Sequence, residues 1–400
     1  MHKQNPRFFR SRKPVVLVIL IGALLAVLGL LIHWRLTVLQ SGDPDLSINQ
    51  PSSEAEEMKM TTHIMLTSLN KPWDIVFAGD NMIVAENDGL ISLASEGKKM
   101  PILQVPKIDP SGEGGLMGLA VDPQYTENHF LYACYNTAGD IRVSRWVLNE
   151  TASELSAQKD IITGIQSNSG ANPGRHSGCR MNFGPDGFLW IGTGDAAAGS
   201  APQDPKSLAG KILRVDRDGK PATGNMTAPF DPRIYSYGHR NVQGIAFAKG
   251  EGVQYVGVST EHGPNVNDEI NILKPGNFGW NPVPGYNESV PMTDTASFPD
   301  AVREMWASGS GTLAPSGATF VYGDEWGEYN GALMVAMLKG EQIRIFHFDA
   351  DGTYKEDSTI FAKQFGRIRT IRQGPDGGLY ITTDNGNNQD VIVHVTPGGL

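Results

Sequence analysis

One cadence recurs along this chain and limits what it can fold into: a strand, a tight turn rich in Pro, Asp and Gly, then an apolar strand. Phe183-Gly-Pro-Asp-Gly-Phe-Leu-Trp-Ile-Gly-Thr-Gly-Asp matches Gln373-Gly-Pro-Asp-Gly-Gly-Leu-Tyr-Ile-Thr-Thr-Asp-Asn-Gly and the stretch from Phe77 to Ile91. Looser copies run from Ala120 to Tyr135, from Ala246 to Thr260 and from Phe320 to Leu338. Pro-Asp-Gly-like turns between apolar runs are hairpin signals. From Thr61 onward no amphipathic stretch is long enough to read as a substantial helix, and 47 Gly and 25 Pro favour turns. Six hairpin units over about 340 residues exceed the roughly 40–50 residues of a compact propeller blade, and the surplus suits long loops gathered at one mouth. The expected fold is therefore all-β, a six-bladed β-propeller over 61–400; a β-sandwich is the other long all-β solution. Thr62-His-Ile-Met-Leu and Val391-Ile-Val-His-Val are placed to share the closing blade.

The N-terminus reads differently. Lys3, Arg7, Arg10, Arg12 and Lys13 precede an uninterrupted apolar run from Val15 to Ile32, followed by Trp34. At about 1.5 Å per residue such a run nearly crosses a hydrocarbon core of roughly 30 Å. Neither an A-x-A cleavage site nor a lipobox Cys accompanies it. Residues 1–14 are thus expected to be a basic cytoplasmic tail and 15–34 an uncleaved transmembrane signal anchor. Residues 35–60, polar and acidic, are expected to be a flexible linker, which puts the globular part outside the membrane. The formal net charge is −10, and setting aside the five N-terminal cations leaves about −15 for the rest. An acidic body without a basic stripe argues against a nucleic-acid partner. Cys134 and Cys179 could pair in an exported protein, a matter that depends on their spatial separation.

Chemistry is concentrated at the ends of the hairpin units. The loop Glu261-His-Gly-Pro-Asn-Val-Asn-Asp-Glu-Ile-Asn crowds carboxylates and amides around a Gly-Pro corner. Gly263 and Pro264 can turn their carbonyls outward together, and carbonyl and carboxylate oxygens suit Ca²⁺; an Asx-rich turn has the same composition. His176, Asp195, Arg240, Asn241, Lys339, Arg367 and Arg369 all stand at strand ends that would face one central mouth of a propeller. Several cations beside a hard-cation loop imply a polyanionic ligand, and His176 would add a base near neutral pH.

Four segments carry a resemblance: Gly112-Glu-Gly-Gly-Leu-Met-Gly-Leu-Ala-Val-Asp-Pro, His176-Ser-Gly-Cys-Arg, Tyr237-Gly-His-Arg-Asn-Val-Gln-Gly, and Glu261-His-Gly-Pro-Asn with Asp268-Glu-Ile-Asn. In order and spacing, from about Leu69 to Val395, the chain resembles the glucose/sorbosone dehydrogenases, the soluble-type aldose sugar dehydrogenases that depend on pyrroloquinoline quinone (PQQ). The resemblance implies a six-bladed propeller, PQQ and Ca²⁺ as cofactors, an aldose substrate and an external redox acceptor, and it leaves room for a homodimer. It implies that His176 takes the proton of the anomeric hydroxyl while hydride passes to the quinone, and that Asp195 holds His176. Arg240 and Asn241 would lie at the quinone oxygens, and Lys339, Arg367 and Arg369 would pair with its carboxylates. The carbonyls of Gly263 and Pro264 would hold the catalytic Ca²⁺, with Asp268 and Glu269 at a second, structural one. Two departures bear on the site: Arg175 stands where relatives place Asp or Asn, and Glu113 where Gln is common. Glu113 is expected to answer the charge of Arg175 or to reshape the cofactor and sugar pocket, and Ala196-Ala-Ala-Gly-Ser offers few groups to grip sugar hydroxyls. Two further readings stand beside the dehydrogenase: a Ca²⁺-dependent propeller hydrolase of lactones or esters, and a non-catalytic surface-binding propeller.

Overall fold

The computed structural model describes residues 59–398, apart from 251, 252 and 255. The tail, the anchor and nearly all of the linker expected from the sequence lie outside the described residues. Among the described residues no helix is long and apolar enough to cross a membrane; helical structure there is one turn at Tyr125–Asn128 and a 3₁₀ segment at Asp324–Tyr329.

The strands form six antiparallel sheets in sequential order, a six-bladed β-propeller. The inner strands are Pro72–Ala78, Leu116–Val121, Gly178–Phe183, Val242–Phe247, Pro315–Phe320 and Ile368–Gln373. Each begins the hairpin that the sequence cadence marks, so the six recurring units are the inner halves of the six blades. Blade six closes the ring. Its outer strand is Met60–Leu69, paired antiparallel with Asp390–Pro397 in a register that sets His63 opposite His394. The two ends of the propeller thereby share one sheet, which leaves no free seam between first and last blades.

Burial explains the strand composition. The second strands Leu189–Thr193, Gly257–Glu261, Leu333–Met337 and Leu379–Thr383 are buried throughout, because each has a neighbouring blade on both faces. The outer strand Tyr354–Ile360 is mostly exposed and correspondingly polar. Cys134 of blade two and Cys179 of blade three are disulfide-bonded, with Cα atoms 5.7 Å apart and 45 residues between them. Closing a loop of that length stabilises by about 4 kcal/mol in the chain-entropy account.

Blade four departs from the plain pattern. Between Glu269–Ile272 and its outer strand Trp306–Ala307 the chain makes a long excursion, residues 273–305. Early in it, Gly276–Asn277 pairs in parallel with Ile234–Tyr237, the fourth strand of blade three. The excursion is thus hooked onto the neighbouring blade, and it carries Trp280, Tyr286 and Glu288 across the mouth.

Candidate active site

All six inner strands begin at the same end of the axial channel. Trp73, Glu113, His176, Asn241, Ala314 and Arg367 flank those six starts and line one cavity of about 390 Å³. Arg240, Gly263, Pro264, Lys339 and Arg369 line it as well. The structure therefore gathers, from five blades, nearly every site residue expected from the sequence.

His176 is buried and lies in the left-handed region at φ 56°, a conformation that costs about 1 kcal/mol or more for a residue with a Cβ. Its backbone is clamped to hold it there. The N–H donates to Glu113 Oε2 at 3.0 Å, and the carbonyl accepts from Ala196 N at 3.3 Å. A Cβ added at Gly194 would sit 1.8 Å from that carbonyl oxygen, so only glycine lets the next strand end back against it. On the ring, Nδ1 lies 2.8 Å from Asp195 Oδ1. With Nδ1–H donating to the carboxylate, Nε2 is left as the basic atom on the cavity side.

Asp195 stands behind His176, fully buried, with four donors on its two oxygens. Oδ1 takes His176 Nδ1 and Ala197 N, the latter at 2.8 Å; Oδ2 takes Trp280 Nε1 at 2.8 Å and the Tyr286 hydroxyl at 2.7 Å. Tyr286 Oη also lies 2.9 Å from His176 Nδ1. Burial, reinforced by Asp195, raises the Tyr286 phenol far above its ordinary range, so it stays a donor.

Arg240 is buried, with Nη1 on His262 O at 2.9 Å and Nη2 on Glu288 Oε1 at 2.5 Å. Its Nε is buried without a partner, as is Nε2 of His262, which also lines the cavity. Burial, then the charges of Arg369 and Arg240, push His262 down to about 3, so it is neutral at any physiological pH. Asn241 donates to Glu113 Oε2 at 3.2 Å, while its Oδ1 accepts from Gly178 N and Gln243 Nε2. Arg369 is paired with Asp384 and reaches Gln243 Oε1 at 3.2 Å. Arg367 and Lys339 are exposed at the rim, and neither forms an ion pair among the described residues.

Two expectations change. The charge of Arg175 is answered by Glu288 at 2.6 Å, not by Glu113, which is held by the backbone of His176 and the amide of Asn241. Asp268 and Glu269 lie outside the cavity and turn to different partners. Asp268 orders the loops, accepting from Gly263 N, Thr312 Oγ1, Leu313 N and Ala314 N. Glu269 faces Asn271 and Thr293, and burial together with Glu261 raises its carboxyl well above the usual range. Among the described residues no group of three or more His, Cys, Asp or Glu side chains converges as a metal site.

The chain matches the glucose/sorbosone dehydrogenase family over residues 69–393. It belongs to that family. Among relatives of this glucose/sorbosone dehydrogenase, the aldose sugar dehydrogenase YliI of Escherichia coli is 28% identical, covering 84% of this chain and 93% of its own. Quinoprotein glucose dehydrogenase B of Acinetobacter calcoaceticus is 26% identical over 91% and 94%. The PQQ-bound aldose sugar dehydrogenase of Streptomyces coelicolor superposes with a TM-score of 0.70 at 30% identity, over 85% of this chain and 99% of that one.

Tyr286 and Glu288 went unnoticed in the sequence, and Trp280 was seen without a role. Their one signal is that the stretch joining two strands of blade four is far longer than a connection needs to be, which is where functional loops are found.

Proposed function

We propose that this protein is a PQQ- and Ca²⁺-dependent dehydrogenase that oxidises an aldose at C1 to the lactone and passes the electrons to an external acceptor. The observation that carries this reading is the single cavity that joins a carboxylate-held imidazole to Arg240, Asn241, Lys339, Arg367 and Arg369. The donor set fits PQQ, a planar polyanion: the rim is cationic, and the buried, unpartnered Nε of Arg240 and Nε2 of His262 await acceptors. Arg240 and Asn241 would hold the quinone oxygens, the three rim cations its carboxylates, and the carbonyls of Gly263 and Pro264 a Ca²⁺ against it. When bound, PQQ supplies a two-electron acceptor for hydride.

The protein's own part is proton management and orientation. Nε2 of His176 accepts the proton of the C1 hydroxyl; Asp195 fixes the tautomer and stabilises the imidazolium that results. Tyr286 and Trp280 hold Asp195 in turn and close the cavity over the ring. Supporting the reading, the relatives above are named as aldose sugar or quinoprotein glucose dehydrogenases. With the apolar run at 15–32, the proposed setting is the outer face of a cell membrane, the propeller tethered by that span and outside the cytoplasm. A second Ca²⁺ at Glu269 would require that carboxyl to lose its proton. The hydrolase reading needs a carboxylate-lined channel, whereas the lining here has Glu113 against four Arg and one Lys.

The test is a titration of the purified protein with PQQ, with and without Ca²⁺, followed by addition of an aldose. Saturable, Ca²⁺-dependent binding and sugar-driven bleaching of the quinone absorbance are expected. A protein that binds no quinone at any Ca²⁺ concentration would not be this dehydrogenase.

A further inference from the structure

The axial channel has a second mouth, at the far ends of the same six inner strands. There, residues from every blade line a cavity of about 440 Å³ that shares no residue with the active-site cavity. Its size is that of a small-molecule site. Its wall is aromatic: Phe77, Phe183, Phe247 and Phe320 come from four different inner strands, and Tyr322 joins them. Arg372, Lys249, Asn182 and Gln373 supply the polar lining, and no Asp or Glu is present. In a chain with a net charge of −10, a cavity lined by two cations and no carboxylate is a specific arrangement.

Arg372 is incompletely satisfied. Its Nη2 reaches the oxygens of Asp74 at 3.3 and 3.4 Å, long for a charge-assisted bond. Asp74 is already engaged by Arg180 at 2.8 Å and by the backbone N–H groups of Ile75 and Leu119. One buried carboxylate thus serves two guanidiniums, and the Nε of Arg372 is buried with no partner. Burial pushes Arg180 down to about 10 despite Asp74, and the charge of Arg372 adds to the push. The Arg180–Asp74 pair, with Thr370 bonded to Arg180, plugs the channel between the two cavities.

We propose that the far mouth binds a small planar organic anion, an aromatic carboxylate or sulfonate, with its ring against the Phe collar and its oxygens on Arg372. An inorganic oxyanion would leave most of its oxygens against aromatic faces, and a sugar or a cation would find no carboxylate to bind. The collar and the cation together select a ligand that is flat at one end and anionic at the other.

The fluorescent anion anilinonaphthalenesulfonate is the probe, titrated into the full-length protein with and without excess PQQ. One saturable site is expected, unaffected by PQQ. Arg372→Gln should weaken it by about tenfold or more, the scale of a lost charged hydrogen bond. Thr319→Glu, which puts a carboxylate at the partly exposed edge of the collar, should weaken it as strongly without touching the Asp74 network. This second variant decides the matter if Arg372→Gln fails to fold. No binding, displacement by PQQ, or an affinity unchanged in Thr319→Glu would each overturn the proposal.

Discussion

Two histidine–carboxylate pairs lie close together in this propeller, and they do different work. His176 and Asp195 meet through Nδ1 and Oδ1 at 2.8 Å; His239 and Glu261 meet through Nδ1 and Oε2 at 3.0 Å. The second pair is closed. Nε2 of His239 lies 2.9 Å from Ser236 Oγ, the ring stacks on Phe278 at 4.4 Å, and Glu261 also accepts the backbone N–H groups of Arg240 and Asn241. It is a bracket that fixes the start of blade four's inner strand and, through it, the arginine and amide at the cavity. The first pair is open: Nε2 of His176 has only the Arg175 Nε nearby, at 3.4 Å, too far for a strong bond. What separates a base from a bracket is which ring nitrogen is left for something else.

The largest expected effect separates the two directly. His176→Gln should lower kcat by about a hundredfold or more, the scale of a lost general base, with PQQ affinity unchanged. His239→Gln should instead lower stability by about 1–3 kcal/mol, because Glu261 loses a buried donor, and leave kcat within a few-fold below the melting transition. Melting curves and single-turnover kinetics on both variants check this. A His239 variant that melts like the parent and loses turnover would reverse the two roles.

How much of this pair of sites could be read from the sequence follows from how each is built. The six hairpins were legible because their turns need Pro, Asp and Gly at set offsets, and the closing strand because Thr62–Leu66 and Val391–Val395 both alternate. His176, Asp195, Arg240 and the rim cations were legible because they adjoin those hairpins. The closed pair was not, since Ser236, His239 and Glu261 form one unit only after two blades pack. The cover over Asp195 was not either: residues 273–305 have no periodicity, and their position depends on the two-residue parallel pairing of Gly276–Asn277 with blade three. The Glu288 answer to Arg175 lies 113 residues away in the chain. Side-chain chemistry at strand ends is local and readable; what crosses between blades is not.

Tyr286→Phe is a milder probe of the open pair. It removes one of four donors to Asp195 and keeps the ring over His176. A loss of about 1 kcal/mol, roughly a fivefold fall in kcat, is expected, the net worth of one such bond. No comparable substitution exists around Glu261, whose other donors are mostly backbone. If Tyr286→Phe fell as far as His176→Gln, the hydroxyl itself would be handling the proton.

The smallest effect near neutral pH comes from Lys211, which sits behind the open pair and has no counterpart behind the closed one. Its Nζ donates to the carbonyls of Ala201, Pro202 and Ala209 at 2.7, 3.0 and 2.8 Å, and so ties down the segment that follows Asp195. Burial lowers its ammonium from the ordinary 10.5 to about 7, against the pull of Asp204 and Asp195. Between those two values the unfolded chain binds a proton that the folded chain does not. Stability should therefore rise with pH in that window, by up to about 1.4 kcal/mol per unit, and be flat below it, where both states are protonated. The neutral amine has two N–H groups for three carbonyls, so the segment after Asp195 loosens over the same range while the fold as a whole gains. Lys211→Met should remove the slope, though it starts from a lower stability because three carbonyls lose their donor. Melting temperatures of parent and variant from pH 6 to 10, an interval set by these values, decide it: parallel curves would mean that Lys211 does not titrate there, and that the open pair is as rigidly backed as the closed one.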